Sequence, residues 1–222
     1  MSSAISLRAL QQKIDAAALK AGRQPHEVRL VAVSKGVDAE RLFEALSSGQ
    51  RVFAENYVQE AASKWEGLRG THSFELRLIG HLQTNKAEQA VRLFDRIDTL
   101  DRLKLAQALA KAFAKTGKAV PLLIEVNSGA EPQKSGCLVE DVPELLKVAR
   151  DLGLDVRGLM CVPPVSQDPT PYFKQLAELA KAHGLVELSM GMSADYETAI
   201  ACGATEVRVG TALFGMRAPK AS

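Results

Sequence analysis

The chain has 222 residues, 46% of them hydrophobic and 24% charged, and 28 Lys plus Arg against 26 Asp plus Glu leave a formal net charge of +2. This composition excludes a disordered chain, and its near balance of charge gives no footing for nucleic acid or an anionic membrane as partner. At this length one globular domain, 1–222, buries roughly 70% of its unfolded surface and needs no metal or disulfide staple.

The opening segment has no long apolar core, so it reads as neither a signal peptide nor a membrane span. It reads as an amphipathic helix over about 4–22, with Ile5, Leu10, Ile14 and Ala18 on one face. Eight runs rich in Val, Ile, Leu and Phe then recur near 28–34, 51–55, 76–80, 96–100, 120–127, 156–162, 185–190 and 206–210. Helical patterns separate them. Leu105, Leu109 and Phe113 make one apolar stripe, Leu145, Val148 and Leu152 another, and Phe173, Leu176 and Ala180 a third. Strict β-then-α alternation predicts a parallel sheet. Eight units of about 28 residues suit a small (β/α)8 barrel. The competing open doubly wound sheet wants a Gly-rich G-x-G-x-x-G turn after its first strand, where VAVSKGVDAE stands instead. The Pro-rich piece 162–171 reads as a βα loop, and 217–222 as a short flexible tail. Cys137, Cys161 and Cys202 are odd in number and form no CxxC pair, as expected of free thiols in a cytoplasmic protein.

In a barrel the strand ends crowd one face, where this fold places its chemistry. Here those ends bring together Ser34-Lys35, Glu55-Asn56, Gly80-His81, Asn127, Met160, the run from Met190 to Ser193, and Arg208, Gly210 and Thr211. Lys35 leaves a buried strand, where desolvation favours a neutral amine able to attack an aldehyde; a lysine there can also simply reach solvent. Ser193, capping the helix after the seventh strand, and Gly210-Thr211 after the eighth offer amides and hydroxyls for an anion, or ordinary turns. In this fold the loops after strands seven and eight commonly hold a phosphate. Arg208 points inward by strand alternation, either to pair with Glu55 or Glu206 or to face a ligand ring nitrogen and keep it unprotonated. Glu55 is expected to orient a ligand or cap a helix, His81 to be a structural hydrogen-bonder, and Lys134 a solvated loop charge. No HExxH motif, His/Cys/Asp cluster or Walker lysine is present, so no metal is expected.

The blocks VAVSK (31–35), AENYVQE (54–60), IGHLQTNK (79–86), SMGMSADYETAI (189–200) and TEVRVGTALFG (205–215) resemble the pyridoxal phosphate homeostasis protein family, which is related to the N-terminal barrel of alanine racemase. The resemblance runs from about Val28 to Gly215. It implies a (β/α)8 barrel carrying pyridoxal 5′-phosphate (PLP) as an internal aldimine on Lys35. It also implies that Ser193, Gly210 and Thr211 hold the phosphate with the Met192 backbone nearby, that Arg208 faces the pyridine nitrogen, and that Asn56 lines the pocket. Members often read SKTKP where this chain has Ser34-Lys35-Gly36-Val37-Asp38, and Ala54 replaces their usual glycine.

The expected function is a non-catalytic PLP carrier that buffers or delivers the cofactor, with PLP-dependent apo-enzymes as recipients and only indirect effects on amino-acid balance. The chain ends just past the last barrel element, without the racemase's second domain and its tyrosine base, which favours a monomer. The alternatives are a small PLP-dependent amino-acid racemase and a Schiff-base aldolase acting on a sugar phosphate.

Overall fold

The eight apolar runs form eight parallel strands; the fourth matches its expected bounds, the third is shifted toward the N-terminus, and the others are trimmed by a residue or two. In the computed structural model, which describes residues 3–215, they are β1 (Arg29–Val33), β2 (Val52–Glu55), β3 (Glu75–Leu78), β4 (Arg96–Leu100), β5 (Leu122–Val126), β6 (Val156–Cys161), β7 (Glu187–Ser189) and β8 (Glu206–Val209). The tail expected at 217–222 lies outside the described residues. The strands pair in sequence order, and β1 also pairs with β8, so the sheet closes into a barrel. At the seam Ala32 stands opposite Phe53 on one side and Val209 on the other. The open-sheet alternative is thereby excluded.

The helices are α1 (Ser3–Lys20), α2 (Ala39–Ser47), α3 (Val58–Trp65), α4 (Ala87–Leu93), α5 (Leu103–Thr116), α6 (Val142–Asp151), α7 (Thr170–Ala182), α8 (Tyr196–Ala201) and α9 (Thr211–Phe214). Leu10, Ile14 and Ala18 of α1 are buried as expected, while the side chain of Ile5 lies outside the described residues. Phe173, Leu176 and Ala180 are likewise buried on α7. The α6 stripe needs correction. Its core face is Val142, Leu145, Leu146 and Ala149, whereas Leu152 caps the C-terminus and is 39% exposed. The helix stops at Asp151, one residue before the extrapolated apolar spacing would be met.

One apolar core lies between the barrel and its helices, fed by the outward residues of the strands, such as Leu30, Phe53, Leu76, Leu78, Val207 and Val209. Trp65 anchors it beside Phe53 and Phe74, with ring centroids at 4.8 and 4.7 Å. The alternate residues face the barrel axis, and several are charged. Arg96 on β4 holds Asp98 at 2.6 Å and Glu187 at 2.5 Å, and reaches across the barrel to Glu206 on β8. Arg77 on β3 meets the same Glu206 carboxylate at 2.6 Å and Glu75 at 2.7 Å. Burial opposes the Glu206 charge, but the two guanidiniums outweigh it and hold that carboxyl down at about 2. A layer of compensated charge thus closes the barrel below the site. Among the described residues no helix is long and apolar enough to cross a membrane.

Candidate functional site

One layer above that charged floor, Arg208 spans the inside of the barrel. It donates to Ser189 Oγ on β7 at 2.8 Å and to the Cys161 carbonyl ending β6 at 2.7 Å. The expected inward orientation is present, but neither expected ion-pair partner is. Glu206 is taken by Arg77 and Arg96. Glu55 is fully buried against α3, where it accepts from Ser34 Oγ, Lys64 and Trp65. Complete burial lowers the Arg208 pKa from its ordinary value, yet an arginine remains a cation and a pure donor.

Above Arg208 opens a cavity of about 420 Å³, and all seven residues singled out for the site line it. Lys35 enters from the turn after β1 and Asn56 from the end of β2. Met192 and Ser193 come from the turn after β7, Arg208 from β8, and Gly210 and Thr211 from the start of α9. Val33, Ile79, Met160 and Val162 supply flat apolar walls. Among the described residues no carboxylate, histidine or tyrosine lines the cavity. Two cationic side chains, two hydroxyls and an apolar lining suit a ligand with an anionic tail and an apolar ring.

The anion end is built from backbone. Gly210 packs its Cα against β1: an added Cβ would stand 3.0 Å from the Val33 carbonyl oxygen, so a side chain there needs β1 or the start of α9 to give by a few tenths of an ångström. The amides of Ser193, Ala194 and Thr211 donate to no protein acceptor among the described residues. Ser193 is not the helix cap the sequence suggested. A three-residue turn delays α8 until Tyr196, its N-cap is Asp195, and Asp195 Oδ1 accepts from Met192 N at 2.6 Å. Met192 therefore contributes wall rather than a spare amide. The Asn56 carboxamide oxygen is buried without a protein donor, a polar atom left for a ligand.

One loop residue differs from expectation. Lys134 is no solvated charge: it pairs with Glu131 and donates to the carbonyls of Val162 and Pro163 at 3.2 and 2.9 Å, tying the β5 loop to the β6 loop. His81 Nδ1 lies 3.4 Å from Asp101 Oδ2 with its side chain about half exposed. Among the described residues no cluster of three His, Cys, Asp or Glu is placed to hold a metal ion.

Sequence reasoning missed Glu125. It stands on β5, opposite Met160 of the cavity wall, with one buried carboxylate oxygen unpartnered. Burial pushes its carboxyl up to about 7; Asp101 adds to the rise and Arg208 opposes it. Between its unfolded value of 4.5 and about 7 the folded state therefore holds more protons than the unfolded state, so this group makes stability fall as pH rises through that window. Glu125→Gln is expected to flatten that slope, read from urea midpoints between pH 5 and 8. The signal was present in the sequence as a lone acid in the apolar run Leu122-Leu123-Ile124-Glu125-Val126.

A closed eight-stranded parallel barrel with its cavity at the strand C-termini is a (β/α)8 barrel, and the family model "Alanine racemase, N-terminal domain", which matches residues 5–218, makes it one of the alanine racemase N-terminal type. The chain is 38% identical over 223 residues to the Pyridoxal phosphate homeostasis protein of Escherichia coli strain K12, covering 96% of this chain and 95% of that protein. It is 41% identical over 211 residues to the protein of the same name from Pseudomonas aeruginosa strain PAO1, covering 92% and 91%. It belongs to the pyridoxal phosphate homeostasis protein family. Among solved structures it is similar to PipY of Synechococcus elongatus PCC7942 with PLP bound, at a TM-score of 0.82 and 34% identity over 96% of this chain and 100% of that one. An alanine racemase from Clostridium difficile shares the fold alone, at a TM-score of 0.70 and 16% identity, with 54% of that chain covered.

Proposed function

We propose that this protein binds pyridoxal 5′-phosphate in the cavity above Arg208 and serves to store and hand over the cofactor rather than to turn over a substrate. Bound there, the cofactor supplies an aldehyde that condenses reversibly with a primary amine. Lys35 is the amine in reach. Ser193, Gly210 and Thr211 hold the phosphate through unspent amides and hydroxyls, Met192 and Asn56 close the sides, and Arg208 faces the ring nitrogen. Because Arg208 can only donate, it keeps that nitrogen an acceptor and unprotonated, which weakens the ring as an electron sink.

The observation that carries the non-catalytic reading is the cavity lining. Chemistry at an amino-acid α-carbon needs acid and base groups aimed at it, and racemisation needs one on each face. Among the described residues Lys35 is the only lining side chain suited to that work. Of the tyrosines open to the racemase alternative, Tyr57 is exposed, while Tyr196 is buried and bonds Glu197 at 3.5 Å; neither lines the cavity. The recipients in this reading are PLP-dependent apo-enzymes, and the working unit is the single barrel. Incubating the PLP-loaded protein with alanine or serine is expected to give no change in chirality and no keto acid above a Lys35→Ala control. Turnover above that control would establish the racemase alternative instead.

A further inference from the structure

Lys35 sits at the second position of a tight turn whose backbone is held from both sides by an ion network. The turn is closed by Val37 N donating to Ser34 O at 3.0 Å, and Gly36 takes φ +69°, a left-handed conformation that favours glycine. On the N-terminal side of Lys35, the Ser34 carbonyl also accepts from Lys64 Nζ at 2.7 Å, and Ser34 Oγ donates to Glu55 Oε1 at 2.8 Å. On the C-terminal side, Gly36 N donates to Glu60 Oε1 at 2.6 Å. Lys64 joins the two halves, with its ammonium 3.0 Å from Glu55 and 2.7 Å from Glu60. Trp65 Nε1 adds a 3.1 Å bond to the same Glu55 oxygen and roots the network in the core. The Lys64 side chain is only 14% exposed and Glu55 not at all, so the Glu55–Lys64 half is shielded from solvent and salt, while Glu60 on the other half is 29% exposed.

We propose that Glu55, Glu60 and Lys64 of α3 and its approach form a positioning clamp that fixes the Ser34–Gly36 backbone and so aims Lys35 into the cavity. This rests on the proposed role of Lys35. None of the three lines the cavity. They act through the backbone on either side of the amine and leave the anion end, built from the β7 and β8 turns, untouched. The clamp also accounts for the acidic residues of the AENYVQE block. Glu55 and Glu60 are five apart, which lets one close the strand and the other reach back from the first turn of α3. Small displacements of a reacting group are costly, so a freed turn is expected to weaken attachment at Lys35 selectively.

The test compares wild type, Lys64→Met, Lys64→Arg and Glu60→Gln, each loaded with PLP. Retention is read as the borohydride-reduced fraction of the Lys35 peptide after timed dilution. Pyridoxine 5′-phosphate, which has the ring and phosphate but no aldehyde, reports the rest of the site. Lys64→Met is expected to shorten retention about tenfold while leaving pyridoxine 5′-phosphate affinity within about twofold, and Lys64→Arg to restore much of the retention. If Lys64→Met does not fold, Glu60→Gln carries the same comparison, since it alters only the more exposed side of the clamp. Unchanged retention, or a parallel loss of both ligands, overturns the proposal. A wild-type protein with no label on Lys35 fails differently, by removing the reading on which the clamp rests.

Discussion

Glu206→Gln is expected to destabilise the protein by about 3–5 kcal/mol, because it leaves two buried guanidiniums side by side on the paired strands β3 and β4 without their shared carboxylate. Arg77 and Arg96 are 0% and 3% exposed, and neither can shed its proton to escape the cost. For a chain of this size the loss corresponds to a fall of roughly 10 °C or more in Tm, measured by thermal unfolding. Asp155→Asn, which breaks a pair 49% and 55% exposed, is expected to cost under about 1 kcal/mol. Acid has the same effect as the first substitution. Glu206 has a folded value of about 2 against 4.5 unfolded, so its stabilisation is complete above pH 4.5 and is lost as pH falls toward 2. The Glu206→Gln protein should lack that part of the acid transition.

Lys35→Ala is expected to have the largest effect on cofactor retention. Removing the amine takes away the covalent bond but leaves Arg208, the Ser193 turn and the start of α9 in place. PLP should then be held only non-covalently, through its phosphate and ring, and leave on dialysis, while the visible absorbance of the wild-type complex disappears. Affinity for pyridoxine 5′-phosphate should stay close to wild type, because that ligand never used the amine. Thermal stability should also change little, since the Lys35 side chain is partly exposed at the mouth.

Barrel and site were both legible in the sequence for one reason: parallel strands wrapped by helices are apolar runs, and the polar residues that close them mark one face. The strand ends contained Lys35, Asn56, Met192, Ser193, Arg208, Gly210 and Thr211 together with Glu55, His81 and Asn127; the family resemblance narrowed them to the seven, which line one cavity, while the other three do not. What escaped was pairing at long range. Arg96 meets Glu206 from 110 residues away, and Lys134 meets carbonyls in a loop 28 residues on. Strand alternation showed which way Arg208 points but not which neighbours it meets. The floor charges carried a signal that went unread. Glu-Leu-Arg-Leu in β3 and Glu-Val-Arg-Val in β8 alternate charge with bulk, and in a barrel covered by helices the charged set has only the interior to occupy. Local punctuation misled in two places. Ser193 resembles an N-cap, but the chain turns once more before α8 begins. The apolar spacing after Leu145 continues past the point where α6 ends.

The most direct test of the account is borohydride reduction of the PLP-loaded protein followed by peptide mass mapping. The account predicts a single stoichiometric label, on the peptide containing Lys35. Label on Lys64, Lys134 or another lysine with Lys35 unmodified, or no label at all in a protein that retains its fold, would contradict it.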